Sequence, residues 1–214
     1  TGLENGLFQI GKLIVLGLIT SFDVGVDLAV TGSAVAANAI ANSIAGVVNV
    51  PGQALGLAII TVIGRCMGAG EQGQGARYTK YLVGASYLCM GLLSAGMFCS
   101  AHLLVTLFNL TPQACAMAAQ VLRVCAVGNL LFWPMSFTLP NALRAAGDAI
   151  FTMAVSLSSM FVCRVALSYV FACPWGLRLG LTGVWLAMVA DWVVRAALFL
   201  TRWLRGKWRR IKGI

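Results

Sequence analysis

Charge is what this chain has least of. Charged side chains make up 10% of its 214 residues, against about 25% in a soluble globular domain. No Asp, Glu, Lys or Arg occurs between residues 28 and 64, and between 81 and 122 the one candidate cation is His102. About 20 apolar residues span the hydrocarbon core of a bilayer. Runs of this length exclude a soluble fold and imply an integral membrane protein. Acids are scarcer than bases: six Asp and Glu stand against 15 Lys and Arg, a net charge of +9. Histidine occurs once, too rarely for a histidine-based metal site. The seven cysteines include no CxxC pair, so neither a zinc site nor a disulfide framework is indicated. No Ser, Cys or carboxylate constellation points to catalysis, and the chain reads as a non-enzyme without cofactor or metal.

What is present is helix. The hydrophobic pattern predicts an all-α integral membrane fold with six transmembrane segments, at about 3–21, 33–65, 79–108, 113–140, 148–173 and 180–202. They form a bundle over residues 1–204, followed by a basic cytoplasmic tail at 205–214. The second segment is too long for one straight span and contains Pro51 and Gly52. It reads either as one helix kinked there, with these two residues as a hinge, or as two short helices. Taken as one, it makes the loops alternate so that Arg65, Arg77, Lys80, Arg144 and the six basic tail residues share a side. Arg178 stands alone on the other. The positive-inside rule then places the tail in the cytosol, against anionic lipid. No aromatic stacking platform accompanies the tail, so nucleic acid is not an expected partner. "GAGEQGQGARYTK" lacks the GK[ST] ending of a phosphate loop and reads as a cytosolic turn.

Polar residues inside these segments are the candidate functional groups. On the second segment Asn38, Asn42, Asn49 and Gln53 fall on one helical face, beside a stripe of small residues at Ser33, Ala37, Ala41 and Ala45. The stripe suits close helix packing, and the amides suit either interhelical hydrogen bonds or the wall of a wet pathway. On the first segment Glu4, Asn5, Gln9 and Lys12 share a side at 100° per residue, which should face the bundle interior or a cavity. Lys12 lies near the midpoint, deep for snorkelling. Asp191 and Arg195 stand at i, i+4 in the sixth segment, the spacing of an ion pair. Intramembrane ionisable groups are costly and mark ion-coupling or substrate pathways. Within the segments the acids Glu4 and Asp191 are outnumbered by Lys12, Arg123, Arg164 and Arg195. Partner carboxylates are therefore expected from an absent half, from lipid headgroups or from an anionic substrate.

Several strings together resemble the multidrug and toxic compound extrusion (MATE) transporter family: "GLENGLFQIGKL", "AANAIANS", "PGQALGLAIITVIGRCMGAGEQGQGARYTK", "LPNALRAAGDAIFTM" and "GVWLAMVADWVVRAALFLTRWLRGKW". The resemblance covers nearly the whole chain and corresponds to the C-terminal six-helix bundle of a twelve-helix transporter. It implies a missing N-terminal six-helix bundle, membrane lipid and a small-molecule substrate as partners. It implies alternating access, Na+ or H+ as coupling ion, and export of cationic or amphipathic compounds across the plasma (inner) membrane. Many members carry an acid in the first helix of this bundle where Gln9 stands here, and some carry an Asp where Trp133 stands. Coupling therefore falls to Glu4, Asp191 or carboxylates of the absent bundle. Related flippases of anionic lipid-linked sugars use basic cavities, so the placement of Lys12, Arg123 and Arg164 separates the two cargoes. A non-transporting scaffold or channel half is the reading from another class.

Overall fold

The computed structural model describes residues 2–21, 32–173, 176–206 and 208. Those residues form helices and turns, and the side chains of residues 2–5 and 8 lie outside the description. Helix α1 is Gly2–Ser21, α2 is Ser33–Gly68 and α3 is Gln72–Thr106. Helix α4, Pro112–Leu131, leads through a π-helical turn at Pro134–Thr138 into α5, Leu139–Ala145. Helix α6, Ala149–Ser159, likewise passes through a π-helical turn at Met160–Ala166 into α7, Leu167–Ala172. Helix α8 is Gly180–Leu204.

Among the described residues, five helical stretches are long and apolar enough to cross a membrane: α2, α3, α4, Ala149–Ala172 and α8. In α1 the comparable apolar stretch is the shorter Gln9–Ser21. Of the two readings of the second segment, the structure takes the single continuous helix, with Pro51 inside it. At about 1.5 Å rise per residue, its 36 residues exceed the roughly 30 Å hydrocarbon core. The helix runs through this length without a break. Arg65 lies near the end of α2, and Arg77 and Lys80 lie in the first turns of α3. The turn between the two helices closes at Gly70, whose φ of +75° suits a residue without Cβ. Thr111 caps α4 by accepting a hydrogen bond from the Ala114 amide at 3.3 Å, with Pro112 in the first helical turn.

Helices α4 and α8 are central. Over half of each apolar window is buried, against 22% for α2 and 28% for α3. The small-residue stripe of α2 is buried from Ser33 to Ala45, and α2 packs on α3 and α4. The basic tail lies mostly outside the described residues. Its one described side chain after Gly206, Trp208, is buried and stacks on Trp203 at 4.3 Å between ring centroids. Its indole N–H donates to the Trp203 carbonyl. The chain reverses at Gly206, φ +63°, so the start of the tail belongs to the packed bundle.

Candidate substrate cleft

Two adjoining cavities open between α1, α2, the two π-turn regions and α8. The larger holds about 780 Å³ and the smaller about 200 Å³. They share Lys12, Asn42, Arg164, Trp185 and Met188 as walls.

Helix α2 supplies the amide wall. Asn42, Asn49 and Gln53 line the larger cavity and Asn38 the smaller. These amides both bridge helices and line the cavities. Asn38 Oδ1 accepts from the Trp185 indole N–H at 3.1 Å and from Asn42 Nδ2 at 3.0 Å, joining α2 to α8. Asn49 Oδ1 accepts from Asn129 Nδ2 at 2.9 Å, joining α2 to α4. Gln53 is exposed to the cleft.

The aromatic wall comes from the first π-turn and α8. Trp133 stacks on Phe137 at 5.2 Å, and Phe137 meets Trp192 edge-on at 5.9 Å. Trp133 comes this close to α2 because residue 52 is glycine. A Cβ there would stand 2.7 Å from Trp133 Cη2 and 2.9 Å from Met90 Sδ. Pro51 is half-buried beside it. Its ring nitrogen cannot bond the Val47 carbonyl one turn back.

The basic wall comes from α1, the second π-turn and α5. Lys12 and Arg164 both line the two cavities. Arg164 donates to Met188 Sδ at 3.3 Å, a weak acceptor. Among the described residues no carboxylate lies within ion-pair distance of Lys12 or Arg164. Arg144 lines the larger cavity and donates to Thr152 Oγ1 at 3.2 Å and Asn141 Oδ1 at 3.3 Å. The third intramembrane base, Arg123, is exposed on α4 and lines neither cavity.

Behind the aromatic wall sits the buried pair on α8. Arg195 Nε donates to Asp191 Oδ1 at 3.0 Å and to Ser159 Oγ at 2.7 Å, and Nη2 donates to the Ser156 carbonyl at 3.1 Å. Both residues are at most 2% exposed, and neither lines a cavity. The Arg195 guanidinium lies 5.5 Å from the Phe137 ring centroid, so the pair touches the back of the cleft wall. Asp191 Oδ2 has no hydrogen-bond partner among the described residues.

The polar side of α1 is only partly gathered into this site. Lys12 reaches the cleft, Gln9 is exposed outside both cavities, and the Glu4 side chain lies outside the description. The stripe of α1 buried against the bundle is Gly11, Val15, Leu18 and Ile19, small and apolar, so among the described polar residues of α1 only Lys12 borders the cleft. Sequence reasoning missed Trp185, Trp192, Phe137, Asn129 and Arg144 as parts of the site. Arg144 was counted with a loop, and the aromatics have no periodic signature. The amide of Asn129 offered a signal, as a lone polar group in an apolar run.

The MatE family model matches residues 11–170. A probable multidrug resistance protein, NorM of Thermotoga maritima, is 24% identical over 98% of this chain and 43% of its own length. The uncharacterized transporter YisQ of Bacillus subtilis is 35% identical over 49% of this chain and 22% of its own. Among solved structures, an outward-facing multidrug resistance MATE family transporter of the MOP superfamily superposes with a TM-score of 0.83 at 18% identity, over 98% of this chain and 45% of that one. The MATE transporter ClbM in complex with Rb+ gives 0.78 at 21% identity, over 98% and 48%. The chain thus spans less than half the length of these relatives.

Proposed function

Because the chain belongs to the MatE family, a family of multi-pass membrane transporters, we propose that it forms one bundle of a secondary active exporter of amphipathic organic compounds. The observation that carries this reading is the cleft of about 780 Å³, walled by amides, indoles and cations. A packed scaffold needs no such opening, and membrane helices bury polar groups where substrates or ions pass. The second bundle faces this cleft and supplies its other wall. The two bundles open it to each side of the membrane in turn.

Transport is driven by Na+ or H+. Asp191 is the described carboxylate placed to respond, because one oxygen is held by Arg195 and the other is buried without a partner. A proton or a cation on that oxygen would loosen the grip on Arg195 and, through Phe137, shift the cleft wall. The tail and the α2–α3 turn lie in the cytosol, in keeping with their basic residues.

The test is accumulation of an amphipathic fluorescent dye in an efflux-deficient strain expressing the full gene product. Lower accumulation, reversed by collapsing the ion gradient, is the expected result. Unchanged accumulation with verified membrane insertion would defeat the export reading.

A further inference from the structure

The cleft has a sign. Its lining includes Lys12, Arg164 and Arg144, and among the described residues no Asp or Glu lines either cavity. Lys12 and Arg164 line the same two cavities, and like charges placed so carry a cost that persists only where something offsets it. The acid on α8 attracts Arg164 only from beyond ion-pair distance. Asp191 is outside the cavity and holds Arg195. Arg164 has a thioether as its hydrogen-bond acceptor, and Lys12 projects into the opening. Two cations of different geometry, one a planar fork and one a point charge, suit an oxyanion group. The amide of Asn42 stands beside both.

We propose that Lys12 and Arg164 form an anion-binding subsite. It takes the carboxylate, sulfonate or phosphate head of an amphipathic molecule whose flat apolar body lies against Trp133, Trp185 and Trp192. This rests on the export reading for the rest of the cycle, but binding at the subsite can be measured apart from transport. The geometry separates the two ends of such a ligand. The head reaches the cations where the two cavities join, and the body extends along the indole wall into the larger one. Indole faces receive aromatic rings well. Arg144 borders the same larger cavity, so an incoming anion meets positive charge along more than one stretch of wall.

The probe is carboxyfluorescein, an aromatic anion, followed by fluorescence anisotropy on the full gene product in phosphatidylcholine nanodiscs. Lys12→Gln is expected to weaken binding about tenfold, the loss expected for a charge-assisted hydrogen bond, and Lys12→Arg to restore most of it. Arg164→Gln should weaken it similarly, and raising the salt should weaken the wild type more than Lys12→Gln. Binding by Lys12→Gln equal to wild type, with the same salt dependence, would overturn the subsite. Adding phosphatidylglycerol to the nanodiscs distinguishes the source of the head group. Displacement of the dye assigns the subsite to a lipid phosphate, and undiminished binding assigns it to a free organic anion; either keeps an anion between the two cations. A parallel assay in proteoliposomes decides the parent reading. Dye that binds with Lys12-dependent affinity but is not carried would overturn export and leave the subsite standing.

Discussion

At the scale of single residues, the Asp191–Arg195 pair gives the clearest experiment. Removing one partner of a buried pair costs about 3–5 kcal/mol, whereas replacing both with apolar residues of similar volume is often neutral. Asp191→Leu alone should therefore lower the melting temperature in detergent strongly, and the double substitution Asp191→Leu with Arg195→Met should recover most of it. If Asp191 couples the ion, the double variant folds but no longer carries dye against a gradient. Coupled transport by that variant at the wild-type rate would leave the pair a purely structural one. Asp148 makes a contrasting case. Arg202 donates to both its oxygens, at 2.7 and 3.1 Å, and lies over Phe151 at 4.5 Å. Asp148→Asn should cost about 1–2 kcal/mol in stability and leave dye binding unchanged. The i, i+4 spacing made the first pair legible in the sequence. The second joins residues 54 positions apart, and nothing local announces it.

At the scale of elements, α2 shows what periodicity can and cannot tell. Its amide face and small-residue stripe follow from 100° per residue, and both occupy defined places in the structure. The choice between one helix and two was not legible, because a proline inside an apolar run is compatible with either. In the structure α2 is one continuous helix of 36 residues with Pro51 inside it. Pro51→Ala should restore a backbone hydrogen bond and raise the melting temperature. It should also slow dye transport several-fold if this point of α2 bends during the cycle. Equal transport rates would remove the hinge role of Pro51 and Gly52. The π-turns were not legible at all. An extra residue per turn leaves no compositional mark, yet these turns carry Phe137 and Arg164 to the cleft. Gly52→Val tests the close approach directly. Overpacking against Trp133 should destabilise by about 1–3 kcal/mol, measured by thermal melting, and narrow the cleft for bulky dyes before small ones.

At the scale of the whole molecule, the membrane nature and helical organisation could be read from charge deficit alone, because a bilayer imposes one length on every crossing. The basic loops lead to an expected side of the membrane, which labelling tests. A Gly73→Cys variant, in the exposed first turn of α3, should react with an impermeant maleimide only after cells are opened. Labelling of intact cells would invert the orientation. What the sequence could not supply was the sign of the cleft. A count of intramembrane charges showed excess cations but not their grouping, since Arg123 turns outward while Lys12 and Arg164, far apart in sequence, share a wall.

That shared positive wall has an electrical consequence. In an alternating carrier the cleft takes the potential of whichever side it faces, and each elementary charge moved across 100 mV is worth about 2.3 kcal/mol. If the chain works as the export reading proposes, an empty cleft carrying Lys12 and Arg164 would be drawn to the negative, cytosolic side. On the export reading proposed above, an anion that settles between the two cations offsets part of that pull and eases the turn outward, so the membrane voltage itself would make the bare carrier wait for cargo.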